Sequence, residues 1–261
     1  MVVHSILRNK AALLFIVLAC FFIANTIVAE FVGSKIFSLE KLLGIPPLSL
    51  TFFGVEGLGF NLTAGVILWP VVFIMTDVIN EYYGSKAVRF LSYLAIAIVL
   101  YAFLMVYLAI GLPPNDWWQF QSGLHPSPSS NVPDMSLAFN KVMGQGLWII
   151  VGSMFAFLVG QILDVFIFHK IKNMTGEKWI WLRATGSTMV SQLIDSFLVL
   201  FIAFYIGAEW ELTRVLAIGT VNYFYKSFVA ISLTPVIYWS HDIIDKYLGH
   251  ETATLMRNQA Q

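Results

Sequence analysis

The sequence has little charge and almost no cysteine, and each shortage excludes a class of protein. Only 11% of its 261 residues are charged, whereas a soluble domain averages about 25%, so the chain cannot coat a water-soluble surface of this size. The charges also cancel, with 15 Lys plus Arg against 15 Asp plus Glu, which excludes a basic nucleic-acid-binding protein and an acidic tail. A single cysteine, Cys20, excludes a disulfide framework and a cysteine-based metal cluster.

Apolar residues make up most of the chain in place of charged ones. They make up 58% of the chain, and the mean hydropathy is +0.78. A transmembrane helix needs about 20 mainly apolar residues, because hydrocarbon offers backbone groups no hydrogen-bond partners. Six stretches meet this requirement, so the sequence predicts an all-α membrane protein with six transmembrane helices in a single domain, residues 1–261. The predicted spans are residues 11–30, 62–81, 88–111, 147–168, 184–206 and 215–239.

The positive charges outside these spans predict an orientation. Ten Lys and Arg residues lie on the side of the two termini, and four lie on the other side: Lys35, Lys41, Lys141 and Arg214. Cytoplasmic loops carry the excess of Lys and Arg. Both termini are therefore predicted to be cytoplasmic.

Two of the predicted external connections are long. Residues 33–61 hold two prolines and several glycines and are predicted to dip into or to cap the external face. Residues 112–146 contain Trp117 and Trp118, followed by a stretch rich in serine and proline that excludes a long helix. Tryptophan is enriched at the membrane–water boundary, so the pair is predicted to anchor there, with a lid over a binding site as the alternative.

Three acids and one lysine lie well inside the predicted spans, away from the span ends: Asp77, Asp164, Asp195 and Lys226. A charge near the bilayer centre costs about 2.5–3.5 kcal/mol on insertion scales, so such residues usually face the bundle interior and mark the path of a substrate or ion. The alternative is that they only neutralise one another and hold helices together. Three acids against one lysine leave at least one acid protonated or bound by something else. Lys226 is predicted to balance one of the acids.

Amides accompany these charges at helical spacing. Gln161 precedes Asp164 by three residues, Gln192 precedes Asp195 by three, and Asn222 precedes Lys226 by four. Each pair therefore shares one helix face. An amide beside a carboxylate presents donors and acceptors together, which suits a planar heterocycle with adjacent N–H groups and a carbonyl. Asn25, near the end of the first span, is a further candidate.

Two other residues of the second span have plainer predictions. Glu81 shares a helix face with Asp77, but it is predicted to be a solvated helix end at the cytoplasmic headgroup level, because helix ends tolerate charge. Pro70 lies in the middle of this predicted span and removes one helical hydrogen bond. A static kink is predicted there, with a hinge or a break at a binding site as the alternatives.

Motifs of enzymes and cofactor sites are missing from the sequence. All five histidines are predicted at helix ends or in loops, which argues against a metal or heme site within the membrane, and no Walker-type phosphate loop occurs. Neither a cofactor nor enzymatic activity is predicted. A membrane-embedded aspartyl hydrolase, with Asp164 and Asp195 as facing acids, stays open as an alternative, although the Tyr-Asp and Gly-x-Gly-Asp motifs of that family are absent.

Several segments of spans two to six form a recognisable combination. They are residues 65–70, 76–84, 160–168, 183–188, 192–196 and 222–226, and the most specific is Gly160-Gln-Ile-Leu-Asp164. In this order they resemble the queuosine precursor transporter family, also called the vitamin uptake transporter family. The resemblance implies a six-helix, multi-pass importer in the inner membrane. Its cargo would be 7-cyano-7-deazaguanine and 7-aminomethyl-7-deazaguanine, which cells salvage to make the queuosine of tRNA.

The resemblance also gives the candidate residues a common role. Asp195 with Gln192, and Asp164 with Gln161, would line one midplane pocket opposite Asp77 and Lys226. A carboxylate accepts the ring N–H and exocyclic amine of a deazaguanine side by side, while an amide donates to its carbonyl. The expected partners are a small deazapurine substrate and the lipid bilayer, with a homodimer left open. A substrate-binding subunit driven by a separate ATPase is a further alternative.

Overall fold

A computed structural model of the chain describes residues 8–115, 118, 132, 134–144, 147–176 and 179–260. Helices dominate these residues, in agreement with the predicted helical membrane protein. Trp117 and the stretch rich in serine and proline lie outside the described residues. The ring of Trp118 packs edge-on against Phe139, with the ring centroids 6.2 Å apart.

The helices of the described residues are numbered here in chain order. They are α1 (Lys10–Val32), α2 (Leu39–Leu43), α3 (Trp69–Ile110), α4 (Met135–Met143), α5 (Leu147–Thr175), α6 (Ile180–Leu200), α7 (Leu212–Ser232), α8 (Thr234–Leu248) and α9 (His250–Gln259). A 3-10 turn, Ala64–Ile67, precedes α3, and a π-helical segment, Phe201–Ile206, continues α6. The side chain of Asn9 caps α1 by accepting hydrogen bonds from the first backbone N–H groups of the helix.

Within the described chain, five elements are long and apolar enough to cross a membrane. They are Lys10–Val32, Trp69–Ile110, Met135–Thr175, Trp181–Ile206 and Leu212–Ser232. The sequence predicts six spans, and the difference lies in α3, whose 42 residues contain two of them. α3 is interrupted at Gly84, which has φ 81° and ψ 171°, a conformation essentially restricted to glycine. Val72 before the break and Ala95 after it belong to one core cluster, so the two arms pack into a common core.

At two places the helices begin or end at other residues than the predicted spans. The second span is predicted from residue 62, but a strand and a 3-10 turn occupy residues 61–67, and α3 begins at Trp69. Pro70 therefore lies in the first helical turn, where a missing N–H costs no helical hydrogen bond, so neither the predicted kink nor the hinge arises there. The sixth predicted span runs to residue 239, but α7 ends at Ser232, and Pro235 lies in the first turn of a new helix, α8.

The connection between α1 and α3 has a fold of its own and departs from an all-α structure. It contains α2 and the strands β1 (Ile36–Ser38), β2 (Leu50–Phe52), β3 (Val55–Leu58) and β4 (Asn61–Thr63). β1 pairs with β4 and β2 with β3, both antiparallel. Glu40 ties this connection together, because its carboxylate accepts the Phe60 N–H at 2.7 Å and the Ser38 hydroxyl at 2.9 Å. Burial raises the pKa of Glu40, but these hydrogen bonds outweigh burial and hold it below its ordinary value.

Close packing joins the long helices. α5 and α6 form the most extensive pair, α1 packs on α3, and α7 packs on α6. At Gly152 of α5, an added Cβ would lie 3.1 Å from the backbone oxygen of Val199, so the absence of a side chain permits this approach. Large apolar side chains such as Phe21, Tyr101 and Phe228 are exposed on the outside of the bundle. Hydrocarbon, unlike water, does not disfavour such a surface.

Candidate functional site

A cavity of about 1100 Å³ lies between the long helices and the folded connection that precedes α3. Residues 54–59 and 61–63 of the connection form part of its wall, and two of the predicted external cations, Lys141 and Arg214, line it as well. Its aromatic lining consists of Trp69, Phe73, Phe157, Phe204, Trp210 and Tyr225. A concave, largely apolar space with a few polar groups is the usual form of a small-molecule site. We call it the main cavity.

An ion pair between α6 and α7 lines the main cavity. Lys226 Nζ donates to Asp195 Oδ2 at 2.5 Å, and each side chain is 20% exposed. Asp195 is therefore the acid that Lys226 balances. Asn222, one turn before Lys226 on α7, lines the same cavity. Because the pair is partly open to the cavity, a polar ligand can reach both of its charges.

A second, smaller cavity of about 40 Å³ lies next to the main one and is lined by Asp77. Both cavities share Gln192 and Lys226 among their lining residues. Gln192 is 3% exposed, and its Nε2 has no hydrogen-bond partner among the described residues. This amide is thus a buried donor beside both cavities, and no described residue occupies it.

Asp164 and Gln161 lie away from both cavities, inside the contact between α5 and its neighbours. Asp164 Oδ1 accepts the hydroxyls of Thr188 at 3.4 Å and Ser191 at 3.3 Å, both from α6. Gln161 Oε1 accepts the Thr76 hydroxyl at 3.3 Å. The Gln-x-x-Asp spacing thus has a different outcome on each helix: on α6 both residues line the main cavity, and on α5 both are enclosed by protein.

Asn25 is also outside the two cavities. Its Nδ2 donates to the backbone oxygen of Phe21 at 2.8 Å, one turn earlier in α1. Glu30, five residues further along α1, does line the main cavity. Its Oε1 accepts the Ser153 hydroxyl at 2.6 Å, and it lies close enough to Asp195 for the two acids to repel. Glu30 is the last residue of the first predicted span and is not among the residues predicted for the site, although an acid at the end of an apolar run was a usable signal.

The prediction for Glu81 is wrong, because this residue is fully buried. It is 1% exposed, and its carboxylate accepts Arg183 Nη2 at 2.6 Å and Lys172 Nζ at 3.3 Å. The two cations are themselves 0% and 3% exposed. Lys172 and Arg183 are two of the ten cations that the sequence predicts on the cytoplasmic side, outside the spans, since each lies at the end of an apolar stretch. We call Glu81, Lys172 and Arg183 the buried charge cluster.

Two histidines are further corrections to the prediction that histidines occupy only helix ends and loops. His241 of α8 is 6% exposed, and its Nδ1 lies 3.1 Å from the Tyr82 hydroxyl, which donates to Asp245 at 2.6 Å. Burial lowers the pKa of His241 to about 4, and the nearby Arg183 adds to this effect. His169 of α5 is half-buried and hydrogen-bonded to the Asn80 side chain at 2.9 Å. The groups of three or more His, Cys, Asp and Glu side chains that hold metal ions are absent from the described residues.

Comparison with known families assigns the chain to a class of transporters. The family described as "Putative vitamin uptake transporter" matches residues 63–240, which is more than half of the chain. The chain belongs to this family. It is a multi-pass membrane protein of a transporter class, and neither the family nor its similar relatives are enzymes by name.

Two curated bacterial proteins are similar to the chain over part of its length. The "Probable queuosine precursor transporter" of Bacillus subtilis (strain 168) is 30% identical over 137 residues, 51% of this chain and 52% of that protein. The "Queuosine precursor transporter" of Escherichia coli (strain K12) is 29% identical over 135 residues, 51% of each. The chain thus matches about half the length of these relatives. No solved structure matches it.

Proposed function

We propose that this protein imports the queuosine precursors 7-cyano-7-deazaguanine and 7-aminomethyl-7-deazaguanine across the inner membrane for tRNA queuosine salvage. The observation that carries the proposal is the main cavity of about 1100 Å³, whose aromatic walls hold an accessible ion pair and an amide donor. Membership in the family supports transport. The names of the two relatives support the class of substrate.

The proposed topology has six crossings, with both termini in the cytoplasm. Each arm of α3, before and after Gly84, is taken as one crossing, which brings the five candidate elements to six. The predicted excess of Lys and Arg on the side of the termini, ten against four, supports termini on the cytoplasmic side. Lys141 and Arg214 line the main cavity and belong to the external set, so the cavity faces outward in this conformation.

The chemistry of the cavity fits a deazaguanine in three respects. Asp195 offers a carboxylate to the ring N–H and the exocyclic amine, and Gln192 Nε2 offers a donor to the carbonyl. Aromatic side chains such as Trp69 and Phe73 supply surfaces for a flat ring. Glu30 supplies a second acid for the ammonium group of the aminomethyl form.

The opposite, proposed cytoplasmic, end is closed in this conformation by the buried charge cluster. Transport by alternating access requires that this end opens while the outer cavity closes around the base. We therefore take the present conformation as the outward-facing state. The folded connection over the main cavity is proposed as the part that covers the base after binding.

The experiment that tests this function uses a strain that cannot make the base. Expression of the chain should restore queuosine in tRNA when either precursor is supplied in the medium, measured by nucleoside mass spectrometry. Purified protein in vesicles should also take up radiolabelled 7-cyano-7-deazaguanine in unchanged form. Vesicles without protein are the control. Uptake equal to that control, or recovery of the label as a cleaved product, would reject the proposal.

A further inference from the structure

We propose that Asp77 is a proton-binding site and that the inward passage of one proton through it drives import of the base. This inference rests on the proposed function and adds its energy source. Asp77 lies on α3, lines the small cavity and is 2% exposed. It is one turn before Glu81, so it connects the cavity to the buried charge cluster.

The charges around Asp77 come from three elements. Asp164 of α5 and Glu81 of α3 repel its carboxylate, and Arg183 of α6 attracts it. Arg183, however, already bonds to Glu81 at 2.6 Å, and so does Lys172 at 3.3 Å. Both cations therefore already contact the carboxylate of Glu81.

A charge count over the described residues of this region leaves one negative charge in excess. Among them the fully buried acids are Asp77, Glu81 and Asp164, and the fully buried cations are Lys172 and Arg183. Lys226 also lines the small cavity, but Asp195 balances it. Nearby His169 and His241 are hydrogen-bonded to Asn80 and Tyr82 and add no charge as neutral rings. Because an uncompensated buried charge is very costly, one proton bound to the acids makes the region neutral.

Two carboxylate atoms are available to hold that proton. Asp77 Oδ1 and Asp164 Oδ2 are both buried and have no hydrogen-bond partner among the described residues. Asp164 Oδ1 is occupied by two hydroxyl donors from α6, which stabilise its ionised form. Asp77 receives no such donor from the described residues, and it borders a cavity, so it is the acid that exchanges the proton.

The route to Asp77 passes the proposed substrate site. The small cavity and the main cavity share Val66, Trp69, Phe73, Gln192, Tyr225 and Lys226 as lining residues. A proton from the external water therefore reaches Asp77 beside Gln192 and Lys226, the groups proposed to meet the base. The base and the proton would thus bind beside the same residues, Gln192 and Lys226. This arrangement allows the binding of one to change the affinity for the other.

The test uses full-length protein in vesicles, with radiolabelled 7-cyano-7-deazaguanine and the membrane potential clamped at zero. An inward proton gradient of about one pH unit should concentrate this neutral base up to roughly tenfold, since one unit corresponds to about 1.4 kcal/mol. A protonophore should abolish the concentration. Asp77→Asn should lose the response to the gradient and retain exchange of labelled for unlabelled base, because exchange needs no net proton movement.

Exchange separates failure of this inference from failure of the proposed function. Asp242→Asn, on the exposed part of α8, is the matched control and should respond to the gradient as the unchanged protein does. Exchange without any effect of the gradient in the unchanged protein would overturn the proton site alone, as would concentration driven by a sodium gradient. Absence of both exchange and uptake would overturn the proposed function.

Discussion

Two groups of charged side chains differ mainly in their access to solvent. Asp195 and Lys226 form a pair in which each side chain is 20% exposed at the main cavity. Glu81 and Arg183, at the opposite end of the bundle, form a pair that is 1% and 0% exposed. The chemistry of the two pairs is similar. A ligand can compete for the first pair, whereas the second pair can change partners only if the helices around it separate.

Because of this difference in solvent access, we expect the two ion pairs to have different roles. Removing one partner of a buried pair leaves a charge without compensation and costs about 3–5 kcal/mol, whereas exposed pairs contribute about 0–1 kcal/mol. We therefore expect changes at Asp195 to alter transport more than stability. Changes at Glu81 should alter stability first. The following predictions test this separation.

The largest effect is expected for Asp195→Ala, which should reduce uptake of the base to the level of vesicles without protein. Loss of a hydrogen bond to a charged group costs about 1.5–3 kcal/mol, which is roughly tenfold or more in affinity, and Asp195 is proposed to accept two such bonds. Uptake of radiolabelled 7-cyano-7-deazaguanine measures the effect. Asp242→Ala, at an exposed pair with Lys246, should leave uptake unchanged. Uptake above half of the normal rate in Asp195→Ala would remove Asp195 from the proposed site.

The second prediction concerns the closed end. Glu81→Gln should lower the free energy of unfolding by about 3–5 kcal/mol, because Lys172 and Arg183 then lose the Glu81 carboxylate that both of them contact. Thermal unfolding in detergent, followed by intrinsic fluorescence, measures the change. The matched control is Asp242→Asn, whose pair with Lys246 has side chains 54% and 69% exposed and which should change stability by less than about 1 kcal/mol. Equal effects of the two substitutions would contradict the difference between the ends.

The candidate residues show how far the sequence alone could go. Apolar length and hydropathy predicted most spans, and the cost of a charge in hydrocarbon identified Asp77, Asp164, Asp195 and Lys226 as groups that do not face the outside of the bundle. These rules could not predict that Glu81 is buried, because its partners lie 91 and 102 residues away in the chain. Each partner also lies at a helix end, where the sequence looks the same for a solvated charge and a buried one. Only the packing of α3, α5 and α6 decides between the two.

The two Gln-x-x-Asp segments illustrate the same limit within the site. Spacing correctly places amide and acid on one helix face, but it does not say which neighbour that face meets. On α6 the face meets the main cavity through Gln192 and Asp195. On α5 it meets hydroxyl groups, so Asp164 is enclosed. The direction in which a helix face points depends on the rotation of the helix about its axis. The packing of the surrounding side chains determines this rotation.

The third prediction is a pH dependence of stability that belongs to the closed end. The folded pKa of His241 is about 4, below its ordinary value of 6.5, so the unfolded chain binds the proton more tightly. Neutral His241 therefore contributes fully to the free energy of unfolding above pH 6.5. This contribution is lost as the pH falls toward 4, by about 3 kcal/mol in total. Unfolding temperatures in detergent at pH 7.5 and pH 5 measure the loss.

Two substitutions isolate this contribution. His241→Gln should reduce the difference in unfolding temperature between the two pH values, because the titrating group is gone. His250→Gln, at an exposed histidine, should leave the difference as it is in the unchanged protein. A difference that persists fully in His241→Gln would show that other groups cause the acid sensitivity of this end.

The smallest effect is expected at the break in α3. Gly84→Ala should destabilise the protein by about 1–3 kcal/mol, because φ 81° with ψ 171° is strained for any residue with a Cβ. The new Cβ would also lie 3.1 Å from the backbone oxygen of Ala260, beside the end of α9. Gly111→Ala, at the other end of α3, is the matched control. The φ of Gly111 is −74°, and a Cβ there would lie 3.5 Å from the backbone oxygen of Leu108, an ordinary contact. Because Gly84 lies at the closed end, Gly84→Ala should lower the unfolding temperature more than Gly111→Ala does. Equal unfolding temperatures for the two variants would mean that the turn between the arms of α3 tolerates a side chain, and that the closed end depends on its ion pairs alone.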